Sequence, residues 1–144
     1  MKKTIALVAV TAAVAYATAG LPNVTSENAS VLDGIFSQAQ VERGEAIYLV
    51  QCASCHGVDL VAPDSSAPSL TGPGFRWGWV NRTLEERKQR IQTTMPLGAG
   101  QTLTAQQSLD LVAFILSGNG YPAGDAELTS ESLDLATVKI ENLQ

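Results

Sequence analysis

The chain has 144 residues and a mass of 15.1 kDa, which suits one domain of ordinary size and leaves no room for a second. Its formal charge is −5, from 14 acidic and 9 basic residues. Because no basic patch or stripe stands out, the composition excludes a typical nucleic-acid-binding protein. The sequence contains no internal repeat and no low-complexity tract, as expected for a small globular domain.

The first segment, residues 1–19, is predicted to be a secretory signal peptide. Lys2 and Lys3 precede an uncharged apolar run, and two A-x-A cleavage signals follow within residues 15–19. The run is about 15 residues long, whereas a membrane span needs about 20. We therefore expect export to the periplasm, cleavage, and no membrane span afterwards. Without the two lysines the formal charge becomes about −7, which favours a basic partner or simply keeps an exported protein soluble.

Three main helices are predicted, joined by long loops and without a convincing strand. A lead-in over residues 20–38 comes first, and the first helix covers residues 40–52. Its main apolar positions are Val41, Ile47, Tyr48 and Val50.

The second and third helices each begin with a capping box. Thr83 is the N-cap of the second helix with Glu86 three residues later, and Thr104 and Gln107 have the same spacing in the third, which ends at Gly118. The apolar stripes of these two helices are formed by Leu84 and Ile91 in the second and by Leu109, Val112, Ala113 and Leu116 in the third.

Both cysteines and the one histidine of the chain lie within five consecutive positions, CASCH, as Cys52, Cys55 and His56. C-x-x-C can be a disulfide, a thiol redox pair, half of a zinc site or a haem attachment site. A zinc site needs four ligands, a thiol oxidoreductase needs a β-α-β setting, and a disulfide across so short a loop stabilises little. In haem attachment, two thiols bind the porphyrin and the next histidine is an axial ligand. The motif predicts one haem c bound covalently through Cys52 and Cys55, with a disulfide as the remaining alternative.

Met95 is the candidate for the second axial ligand. It is the one thioether left once Met1 is removed with the signal peptide. Pro96 disfavours a helical conformation at Met95, so this residue is expected to project from an extended loop after the second helix. An isolated methionine more often fills a gap in the core, but the haem motif favours a ligand. A pair of His56 and Met95 raises the reduction potential, leaves little room for a substrate at the iron, and favours outer-sphere electron transfer.

The chain resembles the class I c-type cytochromes over most of its length, from Ser30 to Leu128. The resemblance rests on the stretches CASCHG, APSLTG, TTMP and LVAFIL. It implies an all-α fold in which three main helices and long loops surround one covalently bound haem. The cytochrome c domain is then residues 39–128, and residues 129–144 are a C-terminal tail that is expected to pack along the surface.

The same resemblance implies two contacts beside the haem. The first and last helices are expected to cross with Gly44 and Tyr48 against Phe114. The carbonyl of Pro68 is expected to accept the imidazole N–H of His56 and to orient the ring.

Four further side chains are candidates for contact with the haem propionates. Trp77 and Trp79 lie in the predicted loop before the second helix, where an indole N–H bonds a propionate or the ring merely walls the haem cavity. Arg76 and Arg82 are weaker candidates, because a surface arginine without a buried partner is the commoner case.

Longer stretches resemble the small cytochromes that accompany periplasmic quinoprotein (PQQ-type) dehydrogenases, among them WGWVNRTLEERKQRIQTTMPLGAGQTLT and ILSGNGYPAGDAEL. This implies an electron carrier rather than an enzyme, acting freely or as a subunit of a dehydrogenase. It takes electrons from that dehydrogenase and passes them to a cytochrome oxidase or another cytochrome. The alternative is a haem-based ligand-binding protein or peroxidase with a displaceable Met95, which a second histidine would support; the chain has none.

Overall fold

The computed structural model describes residues 29–143, so the predicted signal peptide lies outside the described residues. Within this range the regular structure is helical, apart from two isolated β-bridges, and the predicted all-α class is confirmed. A 3-10 helix, Val31–Asp33, precedes five α-helices. These are α1 (Gln38–Gln51), α2 (Ala53–His56), α3 (Gly72–Gly78), α4 (Leu84–Thr94) and α5 (Ala105–Gly118). None of the helices in residues 29–143 combines the length and the apolar character needed to cross a bilayer.

The helix starts follow local capping chemistry. In α4 the backbone N–H of Glu86 donates to the hydroxyl of Thr83 at 3.1 Å, and the predicted box at Thr104 is also present at the start of α5. Two further boxes, which sequence analysis missed, join Ser30 to Asp33 at the 3-10 helix and Ser37 to Gln40 at α1. Because Ser37 is the N-cap, α1 begins two residues earlier than predicted.

Two local predictions were wrong. The segment before α4 was predicted as a loop, but residues 72–78 form α3, which has a proline in its first turn and buries Phe75. Val50 was predicted as a core position of α1 and is 84% exposed. Gln40 and Gly44 are buried instead, because α1 packs closely on α5 along that side.

The crossing of α1 and α5 has no room for a side chain at Gly44. A Cβ atom there would lie 2.0 Å from the carbonyl oxygen of Asp110 and 2.8 Å from the Cβ of Phe114. One turn later the rings of Tyr48 and Phe114 pack with their centroids 5.0 Å apart and tilted by 44°. The contact predicted between Gly44, Tyr48 and Phe114 is confirmed.

A buried polar network lies beside this crossing and is centred on the carboxylate of Asp110. Its oxygens accept hydrogen bonds from Gln40 at 3.0 Å, from Gln106 at 3.0 Å and from two nitrogens of Arg43 at 3.0 and 3.2 Å. Burial alone would raise the pKa of Asp110, but these hydrogen bonds and the charge of Arg43 outweigh it and hold the pKa below its usual value. Gln40 also donates to the carbonyl of Leu128 at 2.9 Å. This hydrogen bond fixes the chain beyond α5 beside the network around Asp110.

The C-terminal tail packs against the start of α4. The backbone N–H of Leu84 donates to the carbonyl of Val138 at 3.0 Å, and that of Ile140 donates to the carbonyl of Arg82 at 2.8 Å. Leu135, Val138 and Ile140 are all buried. The tail therefore completes the core on the side of α4, and residues 31–36 of the lead-in contribute Val31, Ile35 and Phe36 to the same core.

Replacing Gly44 with alanine is expected to destabilise the protein by about 1–3 kcal/mol or more, because the new methyl group overlaps the backbone of α5. Gly78→Ala is the matched control, since a Cβ at Gly78 meets no atom within 4 Å. Its expected effect is within about 1 kcal/mol. Urea unfolding of both variants measures the difference, and equal losses of stability would contradict the account of the crossing.

Truncating Ile140 to alanine tests the role of the tail. Because this side chain is fully buried, the expected cost is about 2–5 kcal/mol. Leu143→Ala, three residues later at a position that is 39% exposed, is expected to cost well under about 1 kcal/mol. Thermal or urea unfolding provides the comparison, and a tail that contributed nothing to the core would give two indistinguishable variants.

Candidate haem site

The two cysteines and the histidine lie on one helical turn. Cys52 ends α1 and begins α2, and its carbonyl accepts the backbone N–H of Cys55 at 3.1 Å and of His56 at 3.0 Å. Side chains three or four residues apart share a helix face. Cys52 is half-buried, Cys55 is exposed, and both thiols are free, so the disulfide alternative is not the state seen here.

The thiol of Cys52 does not resemble a redox-active or metal-binding thiolate. Burial, and then the charge of Cys55, raise the pKa of Cys52 to about 11, whereas reactive thiols have a lowered pKa. Among the described residues no three side chains of His, Cys, Asp or Glu converge on a point that could hold a metal ion.

The imidazole of His56 is held from one side. Its Nδ1 atom lies 2.8 Å from the carbonyl oxygen of Pro68. A carbonyl only accepts, so Nδ1 carries the proton and donates. In the neutral ring, Nε2 is then the nitrogen whose lone pair is available to a metal.

The backbone just after His56 is fixed by two contacts that sequence analysis missed. The phenol of Tyr48, on α1, donates to the carbonyl of Gly57 at 2.6 Å. Gly57 has a φ of +79°, and a Cβ there would lie 1.9 Å from the carbonyl oxygen of Val61, so only glycine fits. Further along the loop, the side chain of Asn119 at the end of α5 donates to the carbonyl of Leu70 at 2.8 Å.

An open cleft of about 500 Å³ lies on the Pro68 side of this loop. Its volume is in the range of pockets that hold small molecules, about 300–1,000 Å³. Since Pro68 both lines the cleft and accepts the bond from His56, the cleft and the imidazole are neighbours. The lining residues are Val61, Pro68, Ser69, Thr71, Gly72, Pro73 and Gly74.

Met95 is the residue that ends α4. Its backbone is extended, with φ −118° and ψ 149°, while its N–H still donates to the carbonyl of Ile91 at 3.1 Å. The side chain is half-buried, and Leu97 two residues later is 90% exposed. The thioether therefore emerges from the end of a helix, and this helix packs against α5.

The two tryptophans occupy different environments. Trp79 ends α3, is only 6% exposed, and stacks on Phe75 with ring centroids 5.5 Å apart. Trp77, within α3, is 89% exposed. Of the arginines considered from the sequence, Arg76 is exposed and Arg82 lies 3.9 Å from Glu86 as a loose surface pair.

Arg87 was not considered from the sequence. Its Nη1 donates to the carbonyl of Gly78 at 2.7 Å, whereas its Nε is buried and has no hydrogen-bond partner in residues 29–143. A signal was available, because Arg87 is three residues after Leu84 and four before Ile91, which places it on the buried face of α4.

The donor set fits a covalently bound haem. Two free thiols and an imidazole lie on one turn, the ring is oriented with Nε2 available, and a cleft adjoins it. A thioether at the end of α4 and an unpaired buried guanidinium nitrogen add a soft ligand and a partner for an anion.

Comparison with known proteins gives the family. The family model described as "Cytochrome C oxidase, cbb3-type, subunit III" matches residues 39–115, which is more than half of the chain. The matched range runs from α1 into α5 and includes the CASCH motif and Met95.

Two curated relatives are thiosulfate dehydrogenases. The protein from Allochromatium vinosum is 31% identical over 104 residues, which are 68% of this chain and 35% of the relative. The protein from Stutzerimonas stutzeri is 30% identical over 82 residues, which are 54% of this chain and 27% of the relative. The chain thus spans about a third or less of the length of these relatives.

A solved structure with the same fold is the sulfane dehydrogenase SoxCD from Paracoccus pantotrophus. The superposition has a TM-score of 0.54 at 26% sequence identity and covers 75% of this chain and 61% of the other. The family match, the relatives and this shared fold agree with the resemblance found in the sequence. The chain belongs to the cbb3-type subunit III family of class I cytochrome c domains, whose members carry covalently attached haem c and transfer electrons.

Proposed function

We propose that this chain is a periplasmic monohaem cytochrome that passes single electrons from a dehydrogenase toward a terminal oxidase or another cytochrome. The observation that carries the proposal is the 2.8 Å hydrogen bond between His56 Nδ1 and the carbonyl of Pro68. It leaves Nε2 as the metal-binding atom of an imidazole that directly follows two free thiols.

In this proposal Cys52 and Cys55 attach the haem, and His56 and Met95 are the axial ligands. When bound, haem c supplies an iron that gains and loses one electron. Pro68 fixes the tautomer and the orientation of His56, which makes the imidazole a stronger donor. The thioether of Met95 favours the ferrous ion and so raises the reduction potential.

The protein supports electron transfer by keeping its own residues in place. The helices that lead to the proposed ligands both pack on α5, so little rearrangement is expected when the charge on the iron changes. Of the other candidates, Trp79 is buried and stacks on Phe75, which supports a packing role for its ring. The exposed Trp77 remains a candidate for contact with a propionate.

Two observations support a dehydrogenase as the electron donor. The matched relatives are named for the dehydrogenation of thiosulfate and of sulfane sulfur, and the narrower sequence resemblance is to cytochromes of quinoprotein dehydrogenases. The formal charge of about −7 that remains without Lys2 and Lys3 favours a basic docking surface on the partner, with association that slows as salt rises.

The names of the relatives also favour a second function, in which a small sulfur compound is oxidised at the iron itself. This function needs an open or displaceable position where Met95 is proposed to bind. It is the haem-enzyme alternative noted from the sequence. Whether Met95 binds the iron distinguishes this function from that of an electron carrier.

Replacing Met95 with alanine is expected to abolish the far-red absorption of the methionine-to-iron bond and to lower the reduction potential. Axial ligands span about 0.8 V across haem proteins, so the drop is on the order of a few tenths of a volt. The haem stays attached, because Cys52 and Cys55 are unchanged. The measurement is a spectroelectrochemical titration of the purified protein.

Leu97→Ala is the matched control, because Leu97 is two residues away and 90% exposed, and this variant is expected to keep the wild-type potential. An unchanged potential and spectrum in Met95→Ala would reject Met95 as a ligand. Oxidation of thiosulfate by the purified wild-type chain alone would favour the second function.

A further inference from the structure

We propose that Arg87 binds a carboxylate of the haem, one of its two propionate groups, through its Nε–H. The inference rests on the proposed haem site and adds to it a residue that neither the CASCH motif nor the tryptophan segment indicated.

Arg87 occupies a position where an arginine is unusual. It lies between Leu84 and Ile91 on the buried face of α4, and its side chain is half-buried. Nη1 donates to the carbonyl of Gly78 at 2.7 Å, which fixes the guanidinium plane against the end of α3. Nε is buried without an acceptor in the described part of the chain. A buried donor without an acceptor is costly, and native proteins rarely retain one that serves no purpose.

No carboxylate in residues 29–143 lies within ion-pair distance of Arg87. The ion pairs of this part of the chain are made by Arg43, Arg82 and Lys88. Glu86 is adjacent, but it accepts the backbone N–H of Thr83 at 2.7 Å and faces Arg82 at 3.9 Å.

The charges around Arg87 favour the binding of an anion by its guanidinium group. Its pKa is lowered by burial, with Glu86 acting against this and Arg82 and Arg90 adding to it. A guanidinium nevertheless stays charged at any physiological pH. The guanidinium of Arg87 is partly desolvated and has two cationic neighbours, and its one acidic neighbour, Glu86, already binds other groups. An additional carboxylate would therefore stabilise it.

The propionate is the carboxylate that the proposed site supplies. Arg87 and Ile91 are one turn apart on the same face of α4, and Met95 follows at the end of that helix, about 12 Å along its axis from Arg87 at 1.5 Å per residue. Gly78, which Arg87 contacts, lies between Trp77 and Trp79, the segment in which sequence analysis placed contacts to the propionates. With Nη1 held by Gly78, the fork of the guanidinium still presents Nε–H to a carboxylate oxygen.

The test is the pH dependence of the reduction potential of the purified haem protein, in Arg87→Gln and in a matched control, Arg90→Gln. Arg90 carries the same charge on the same helix and lines the same groove as Arg87, but its side chain is exposed. A neighbouring arginine lowers the pKa of a carboxylate by about 1–3 units. In Arg87→Gln the inflection assigned to the propionate is therefore expected to move up by about 1–3 pH units, while the methionine-to-iron band stays unchanged. Arg90→Gln is expected to shift the inflection in the same direction but much less, because the charge of an exposed side chain is screened by water and salt.

Two further variants make the assignment specific. Arg87→Lys keeps the charge and loses the Nε–H, so a smaller shift in the same direction is expected, and this variant decides the question if Arg87→Gln does not fold. A lysine profile identical to that of the wild type would overturn the proposal. So would equal shifts in Arg87→Gln and Arg90→Gln, or a larger shift in Arg76→Gln. A wild-type protein without haem or without the methionine-to-iron band would instead overturn the proposed function itself.

Discussion

The close approach of α1 and α5 at Gly44 is the constraint on which the rest of the structure depends. The carbonyl oxygen of Asp110 occupies the place that a side chain at Gly44 would need. The two backbones are held together by the packing of Tyr48 on Phe114 and by the buried hydrogen bonds of Gln40 and Arg43 to Asp110. Because both helices are fixed by packing and by hydrogen bonds, the crossing is rigid enough to position the loops that leave it.

Contacts from α1 and α5 fix the segments that carry the two candidate ligands, His56 and Met95. Tyr48 bonds the carbonyl of Gly57 directly after His56, and Asn119 at the end of α5 holds the loop that contains Pro68. On the other side α5 packs against α4, whose last turn leads to Met95 and whose start is covered by the C-terminal tail. The helices thus carry both proposed axial ligands, while the loop from His56 to α3 lines the open cleft beside Pro68.

Features coded by short-range signals could be predicted from the sequence, and features that depend on tertiary packing could not. The CASCH motif, the capping boxes at Thr83 and Thr104 and the Gly44 crossing are local patterns or family patterns, and the structure contains them. The helix α3, the exposure of Val50 and the burial of the tail were missed, because each depends on which neighbour covers which face. The identity of the electron donor stays a prediction, since the sequence resembles cytochromes of quinoprotein dehydrogenases, whereas the matched relatives are named thiosulfate dehydrogenase and sulfane dehydrogenase.

The most direct test of a haem between His56 and Met95 is the visible absorption spectrum of the exported protein in its oxidised and reduced states. Attachment through two thioethers with a histidine and a methionine on the iron predicts a sharp low-spin reduced spectrum and, on oxidation, a far-red methionine-to-iron band. A high-spin spectrum would contradict ligation by Met95 and favour chemistry at the iron. A colourless protein would contradict the haem site altogether.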